Sequence, residues 1–255
     1  MINKNYCVIG YPIKHSLSPR IHNREFKKRG IAARYRAVEV RPENLAAFMK
    51  SYKENFDGGN VTIPHKEKVM RFLDWISPEV RAIGAVNTIV NRSGKLEGYN
   101  TDVIGAMTAL KSAVKIIKDK RAVVLGAGGA ARAVIYGLRK AGTKVLILNR
   151  TVETAKKLAV EFGCEYGVLE DFDATNCDIL INTTSVGMWP KSTETPLPNL
   201  KESLRAMKKK PVVMDVIYRP KVTRFLKDAK ACGCKIIIGE KMFLSQAAAS
   251  FRLFS

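Results

Sequence analysis

Apolar segments of strand length alternate with amphipathic segments of helix length along the whole chain. The predicted strands cover residues 6–9, 34–40, 59–63, 122–125, 144–148, 178–182, 212–216 and 235–238. Strands that alternate with helices are typical of a parallel sheet covered by helices. The pattern therefore predicts an α/β protein, and 255 residues with 46% hydrophobic content are enough for two domains.

A helix is predicted to begin near Asp102, whose carboxylate can cap the first turn. Apolar side chains recur there at helical spacing, at Val103, Met107, Leu110, Val114 and Ile117. A basic stretch, residues 118–121, follows this pattern. We expect this helix to link two domains.

The chain carries a formal net charge of +21, from 44 Lys and Arg against 23 Asp and Glu. A charge of this size raises the question of nucleic-acid binding. The basic residues are spread in short groups such as 27–29 and 208–210, without a basic arm, which favours solubility or attraction of small anions. We therefore expect a small-molecule partner and no nucleic acid.

The remaining composition predicts a cytoplasmic protein with neither a membrane partner nor a metal. No apolar run reaches the roughly 18 residues of a membrane span, and residues 1–6 lack the apolar core of a signal peptide. The five cysteines are scattered, and Cys232 and Cys234 have no nearby His, so we expect ordinary thiols. A monomer and a homodimer are both open.

A glycine-rich turn separates the predicted strand 122–125 from the helix that follows it. It reads Gly126-Ala127-Gly128-Gly129-Ala130-Ala131, a GxGxxA pattern. In a dinucleotide site the first glycine permits the tight turn, the second lets the backbone approach the pyrophosphate, and the alanine allows close helix packing. The sequence predicts such a site here, with a glycine turn that binds nothing as the alternative.

The nature of the nucleotide is indicated at the end of the next predicted strand. Asn149-Arg150-Thr151 stand there, where an NAD enzyme usually offers Asp or Glu to the ribose 2′-hydroxyl. The absence of a carboxylate and the presence of one fixed cation favour a 2′-phosphate. We therefore expect NADP as the cofactor, in preference to NAD.

Two further polar clusters are candidates for a substrate site. Ser16 and Ser18 precede a helix that Pro19 can open, so their hydroxyls and the helix amides can hold a carboxylate. Ser18 as a simple helix cap is the alternative. Lys66 and Asp102 each follow an apolar segment and lie among short hydrogen-bonding side chains suited to a polyhydroxylated molecule. A structural ion pair is the alternative for them.

Three ordered motifs carry a resemblance to the shikimate dehydrogenases. They are NVTIPHK at 60–66, AVNT at 85–88 and NTD at 100–102, against the family patterns NVTxPxK, AVNT and NTD. SxSP at 16–19, DxxYxP at 215–220 and GxxMLxxQ at 239–246 also match, the last with Phe243 in place of Leu. The resemblance implies NADP-dependent, reversible reduction of 3-dehydroshikimate to shikimate in aromatic amino acid (chorismate) biosynthesis.

The resemblance also implies roles for individual residues. Lys66 and Asp102 would exchange the proton of the reacting hydroxyl, in an order that the sequence leaves open, whereas His15, His22 and His65 would be non-catalytic. The implied substrate ligands are Ser16, Ser18, Asn60, Thr62, Asn87, Tyr218 and Gln246, with Asn100 a weaker candidate. The expected cofactor ligands are Gly126, Ala127, Gly128, Gly129, Ala130, Asn149, Arg150, Thr151, Thr183, Gly239 and Met242, with Asn182 and Thr184 beside Thr183. Asn60, Thr62, Asn87 and Asn100 could each instead be a turn or cap residue.

By the same resemblance, residues 1–102 joined by 240–255 would form a substrate-binding and catalytic domain. Residues 103–239 would form a doubly wound, Rossmann-type NADP-binding domain, with the active site in the cleft between the two domains.

Besides Phe243, two features depart from the family. Relatives carry a second basic residue three positions after NRT, where this chain has Thr154 preceded by Glu153. They also usually continue into one more helix beyond the position of Ser255. The rival hypotheses are a quinate or dual quinate/shikimate dehydrogenase with dual or NAD specificity, and a non-catalytic nucleotide-sensing or nucleic-acid-binding protein.

Overall fold

The computed structural model describes residues 4–14 and 16–254. The chain divides into two compact units, which we call unit 1 (Met1–Thr101 with Ala247–Ser255) and unit 2 (Asp102–Gln246). Each unit is built on one sheet with helices, so the predicted α/β class is confirmed. Within the described ranges, no helix is both long and apolar enough to cross a membrane.

Unit 1 has a six-stranded sheet of mixed direction. Its elements are β1 (Lys4–Gly10), α1 (Ser18–Lys28), β2 (Ala33–Glu39), α2 (Leu45–Lys50), α3 (Tyr52–Asn55), β3 (Gly58–Val61), β4 (Trp75–Ile76), α4 (Pro78–Ile83), β5 (Thr88–Arg92) and β6 (Lys95–Tyr99). The strand order is β2-β1-β3-β5-β6-β4. Strands β2, β1 and β3 are parallel, whereas β5 runs antiparallel to both β3 and β6.

The hairpin β5–β6 is a difference from the parallel sheet that the sequence pattern predicts. Its turn is formed by Ser93 and Gly94, which both have positive φ, 53° and 87°. Asn91 closes the turn, because its Oδ1 accepts the Gly94 amide at 2.8 Å. Two residues of positive φ between strands are the usual hairpin connection, and the Ser-Gly pair is the local signal that the pattern analysis missed.

Side chains of β1 pack on both faces of this sheet. Cys7 and Ile9 belong to one apolar cluster with residues of α2 and α3, whereas Tyr6 and Val8 belong to a second cluster with residues of α1. Successive side chains of a strand point to opposite faces, which explains this division. β1 is therefore an internal strand covered on both sides, as its continuous apolar sequence predicts.

Unit 2 has a six-stranded sheet in which every pair is parallel. Its elements are α5 (Asp102–Lys111), β7 (Arg121–Leu125), α6 (Gly129–Lys140), β8 (Lys144–Leu148), α7 (Val152–Phe162), β9 (Glu165–Gly167), β10 (Ile179–Asn182), α8 (Leu200–Arg205), β11 (Val212–Asp215), α9 (Arg224–Ala231), β12 (Lys235–Ile237) and α10 (Gly239–Phe254). The last part of α10, from Ala247, belongs to unit 1.

The strand order of unit 2 is β12-β11-β10-β7-β8-β9. From β7 the chain adds β8 and β9 on one side and then returns to add β10, β11 and β12 on the other, so the order of addition reverses between β7 and β10. This is the order of a doubly wound dinucleotide-binding sheet, and such sheets bind their ligand at the carboxyl ends of the strands beside the reversal. The predicted doubly wound fold is therefore confirmed. We therefore expect the nucleotide site at the carboxyl ends of β7 and β10.

The helix predicted from Asp102 is shorter than its apolar spacing indicated. α5 ends at Lys111, and the Val114 amide donates to the Leu110 carbonyl in the turn that follows. Val114 and Ile117 therefore lie outside the helix, although both pack against the core of unit 2. Their burial, and not a continued helix, explains why they are apolar. Several predicted strands also end one or two residues early, as β3 does at Val61.

Candidate active site

Lys66 lies in the turn that follows β3 in unit 1. The turn is closed by the His65 amide, which donates to the Thr62 carbonyl at 2.9 Å, and by the Val86 amide, which donates to the Lys66 carbonyl at 2.8 Å. The His65 ring is fully buried, and its Nε2–H donates to the Val40 carbonyl at 2.6 Å. His65 is thus an internal anchor of the turn that carries Lys66 and Thr62.

The AVNT and NTD motifs are joined in space by the β5–β6 hairpin, which pairs Thr88 with Tyr99. Asn87 Oδ1 accepts the Thr101 amide at 2.8 Å, and Asn87 Nδ2 donates to Thr101 Oγ1 at 2.9 Å. Asn100 Nδ2 donates to the Ala85 carbonyl at 2.8 Å. The two motifs therefore support each other, which is a physical reason for their joint presence.

Asn60 is the centre of a buried hydrogen-bond network in unit 1. Its Oδ1 accepts the Tyr35 hydroxyl at 2.7 Å, and its Nδ2 lies 2.9 Å from Ser250 Oγ and 3.1 Å from Thr88 Oγ1. Ser250 also lies 2.9 Å from Thr101 Oγ1, so the end of α10 is tied to the motif residues. The sequence did not indicate Tyr35 or Ser250, because bonds between such distant positions leave no local pattern.

The two serines of the SxSP motif stand at the start of α1, of which Ser18 is the first residue. The N-cap is Leu17, which makes no side-chain cap, and Ser16 Oγ accepts the Ser18 amide at 3.3 Å. Ser18 is therefore not the cap residue of α1. The first turn contains no acidic side chain, so the positive end of the helix dipole is open to an anion.

Of the other two histidines, His15 lies outside the described residues and His22 is buried within unit 1. The His22 ring stacks on Tyr35 with centroids 4.4 Å apart. Burial lowers the pKa of His22 to about 4, so its ring is neutral near neutral pH.

The glycine-rich turn of unit 2 connects β7 to α6 at the reversal point of the sheet. Gly126 has a φ of 102°, and a Cβ on it would lie 2.9 Å from Thr183 Oγ1, so both conformation and space require glycine. A Cβ on Gly128 would meet nothing within 4 Å, which leaves open space above the N-terminus of α6. α6 has no side-chain cap and no acidic residue in its first turn.

These features fit a bound dinucleotide, because the amides of α6 are left available to a pyrophosphate. Gly128 and Gly129 bring the backbone to that point without a side chain in the way, and Ala131, in the first turn of α6, is fully buried. Thr183 donates its hydroxyl to the Leu125 carbonyl at 2.6 Å, which joins the ends of β10 and β7. Ala127 lies within the same turn, and Ala130 is the second residue of α6.

The segment Asn149-Arg150-Thr151 follows β8 and leads into α7. Asn149 Nδ2 donates to the Thr151 carbonyl at 2.9 Å, and Thr151 is the N-cap residue without a side-chain cap bond. Arg150 is exposed and forms no ion pair within the described chain. Thr154 and Glu153 are exposed in the first turn of α7. One cation and several polar groups are thus available to a ribose phosphate.

Tyr218 follows β11 and stacks on Phe243 of α10, with centroids 4.4 Å apart. Gly239, the first residue of α10, packs against the same loop, because a Cβ on it would lie 2.3 Å from the Ile217 carbonyl oxygen. Met242 is buried in the core of unit 2. Gln246 is 9% exposed and is the last residue of unit 2.

Two family models match the chain. The substrate binding domain of shikimate dehydrogenase matches residues 8–89, and shikimate / quinate 5-dehydrogenase matches residues 108–218. The chain belongs to the shikimate dehydrogenase family. It is 42% identical to the shikimate dehydrogenase (NADP(+)) of Caldanaerobacter subterraneus subsp. tengcongensis over 99% of this chain and 91% of that protein.

Solved structures of shikimate dehydrogenases have the same fold. The Thermus thermophilus enzyme in complex with NADP(H) and shikimate is 41% identical, with a TM-score of 0.88, over 99% of this chain and 93% of that one. A quinate dehydrogenase from Corynebacterium glutamicum in complex with NAD is 29% identical, with a TM-score of 0.85, over 99% and 93% of the two chains.

Within the shikimate dehydrogenase family, the departure at Phe243 has a structural counterpart. The ring at this position provides the stacking partner of Tyr218, which the family's leucine would not. The departure at Thr154 leaves Arg150 as the single cation of the NRT segment. In the described residues, no group of three or more His, Cys, Asp or Glu side chains could hold a metal ion.

Proposed function

We propose that the protein catalyses the reversible, NADP-dependent reduction of 3-dehydroshikimate to shikimate in the biosynthesis of aromatic amino acids. The observation that carries the proposal is the full-length similarity to proteins named NADP-dependent shikimate dehydrogenases. The glycine turn at the β7–β10 reversal and the paired AVNT and NTD motifs support it from the structure. The protein is an oxidoreductase.

Residues 126–130, Asn149, Arg150, Thr151 and Thr183 would hold the nucleotide, with Gly239 and Met242 beside its nicotinamide. When bound, the nucleotide would supply the hydride acceptor for oxidation of the alcohol carbon of shikimate and the hydride donor for reduction of the ketone. The α6 amides would bind the pyrophosphate, and the Arg150 guanidinium would bind the 2′-phosphate by a charge-assisted hydrogen bond.

Hydride loss from an alcohol requires that the hydroxyl proton leaves, and reduction requires its return. We assign this proton exchange to Lys66 and Asp102. The His65 anchor and the Val86 amide fix the turn that carries Lys66. Asp102 opens α5 directly after Thr101, whose amide and hydroxyl are bonded to Asn87. Both groups are therefore carried by backbone that hydrogen bonds hold in place.

Ser16 and Ser18 would bind the substrate carboxylate with the N-terminus of α1, because no acidic side chain opposes an anion there. Thr62, Asn87, Tyr218 and Gln246 would bind its hydroxyl groups. Asn60 would contribute chiefly through its neighbours, since its amide bonds Tyr35 and Ser250. A cytoplasmic location, and a monomeric or homodimeric state, are predictions of the sequence.

Oxidation of quinate with NAD is a second candidate function. It is favoured by the similarity to a quinate dehydrogenase bound to NAD and by Thr154, which supplies no second cation for a 2′-phosphate.

The chemistry is tested by steady-state kinetics of shikimate oxidation with NADP. Lys66→Ala should lower kcat by about 10² to 10⁴ and leave KM for shikimate within about tenfold, because acid–base assistance acts mainly in the transition state. Asp102→Asn should lower kcat as well. A Lys66 variant with normal kcat and a greatly raised KM would make Lys66 an anchor and contradict the mechanism.

A further inference from the structure

Asp215, the last residue of β11, is a fully buried carboxylate with three hydrogen-bond donors around it. Oδ1 accepts the Ile217 amide at 2.9 Å and Asn182 Nδ2 at 3.2 Å. Oδ2 accepts the Thr223 hydroxyl at 2.7 Å. One side chain thus joins the end of β10, the loop after β11 and the start of α9.

The ionised form of this carboxylate lowers the stability of the fold. Burial is the main influence, and it raises the pKa of Asp215 to about 6. A carboxyl with a raised pKa in the folded state adds stability when protonated, and that contribution is lost as the pH rises through about 6. Near neutral pH the buried side chain is therefore a carboxylate whose charge is met by the three donors around it.

The two segments that Asp215 Oδ1 contacts are both predicted ligand segments. Ile217 immediately precedes Tyr218, and its carbonyl side is confined by Gly239, on which a Cβ would lie 2.3 Å from that oxygen. Asn182 Oδ1 in turn accepts the Thr184 amide at 3.0 Å and its hydroxyl at 2.7 Å. The position of Tyr218 and that of Thr184 both depend on the same carboxylate.

We propose that Asp215 is a positioning residue for the dehydrogenase reaction, which orients the Tyr218 loop toward the substrate and the Asn182–Thr184 segment toward the nucleotide. The inference rests on the proposed function, because Tyr218 and Thr184 are ligands only in that reaction. It assigns Asp215 no contact with substrate or cofactor.

The bond to Thr223 provides a matched control, because Thr223 belongs to neither ligand segment. Thr223 is the N-cap of α9 and accepts the Leu226 amide at 3.3 Å. Thr223→Val removes this cap and the bond to Asp215 Oδ2 but leaves Oδ1 bonded to Ile217 and Asn182. Asp215→Asn likewise keeps an oxygen for Ile217 and Asn182, while its amide nitrogen cannot accept the Thr223 hydroxyl.

The test compares steady-state kinetics of wild type, Asp215→Val, Asp215→Asn and Thr223→Val with shikimate and NADP, below all melting temperatures. Asp215→Val should lose at least about tenfold in kcat/KM, with kcat reduced and KM for NADP raised, since a factor of ten corresponds to about one lost hydrogen bond. Asp215→Asn and Thr223→Val should stay within about threefold of wild type, although Thr223→Val melts earlier.

Unchanged kinetics of Asp215→Val, or an equal loss in Thr223→Val, would overturn the proposal and make Asp215 a structural residue. If Asp215→Val does not fold, Asp215→Ser replaces it, with the same expected loss. Failure of both to fold would also overturn the proposal, because the side chain would then be required for the fold and not for the placement of Tyr218 and Thr184. An inactive wild type would contradict the proposed function instead.

Discussion

At the scale of single residues, we propose that cofactor choice depends on Arg150. It is exposed after β8 and forms no ion pair in the described part of the chain, and no carboxylate at Asn149 competes for a ribose hydroxyl. A charge-assisted hydrogen bond contributes roughly 1.5–3 kcal/mol, which corresponds to about ten- to a hundredfold in kcat/KM. Thr154 and Glu153 should keep the preference for NADP toward the lower end.

Arg150→Ala should therefore reduce kcat/KM for NADP by about tenfold or more and change that for NAD little. Thr154→Arg is the opposite variant, which adds the second cation found in relatives and should increase the preference for NADP. Kinetics of both variants with each nucleotide check this. An equal loss of both nucleotides in Arg150→Ala would show that Arg150 does not bind the phosphate.

The residues of the candidate site were predictable to different extents. Lys66, Asp102 and Gly126 stand in local motifs, because a turn or a helix start requires particular residues within a few positions. Ser250 could not be predicted, since its bonds to Asn60 and Thr101 join α10 to positions 149 or more residues earlier. Asp215 was recognised only as part of a motif, and its three partners became evident only in the folded unit.

At the scale of elements, the start of α1 raises the question whether Ser16 and Ser18 bind the substrate carboxylate or stabilise the helix. Leu17 and not Ser18 occupies the N-cap position, and Ser16 takes up the Ser18 amide. If the serines cap the helix, their removal should lower the stability of the protein, whereas if they bind an anion, their removal should weaken binding of the substrate carboxylate.

Ser16→Ala and Ser18→Ala should raise KM for shikimate by about tenfold each and change KM for NADP little, because a hydroxyl bonded to a charged group contributes roughly 1.5–3 kcal/mol. The melting temperature measured in parallel is the control. A lower melting temperature with an unchanged KM for shikimate would return the segment to a purely structural role.

The elements of unit 2 were predicted more completely than those of unit 1. Parallel strands buried on both faces give continuous apolar runs such as 122–125 and 179–181, which are visible in the sequence. Strands β5 and β6 were missed, because they mix apolar residues with polar ones such as Asn91, Glu97 and Tyr99. Their Ser93-Gly94 turn is the only local signal.

At the scale of the whole molecule, acid should affect stability through two buried groups that act in opposite directions. The pKa of His22 is lowered by burial from 6.5 to about 4, so the unfolded chain binds a proton more readily and stability falls as the pH drops from about 6.5 to 4. Asp215 acts in the opposite direction: because its pKa is raised to about 6, its contribution to stability increases as the pH falls from about 6 to 4. Between about pH 6 and 4 the contributions of these two groups therefore partly cancel.

His22→Phe should expose the histidine contribution, because the ring stack with Tyr35 and Phe251 is kept while the titrating group is lost. The free energy of unfolding of the variant minus that of wild type should increase by about 1.4 kcal/mol per pH unit as the pH falls from about 6 to 4, to a total of about 3 kcal/mol. Urea unfolding at several pH values measures it. A difference independent of pH would mean that His22 does not titrate in this range.

The measurement that tests the central claim most directly is the rate of nicotinamide reduction by the purified protein with four substrate pairs, followed by absorbance. Shikimate and quinate are each combined with NADP and with NAD. We expect the highest kcat/KM for shikimate with NADP, and about ten- to a hundredfold less for shikimate with NAD. A preference for quinate with NAD, or no reduction with any pair, would contradict the assignment as an NADP-dependent shikimate dehydrogenase.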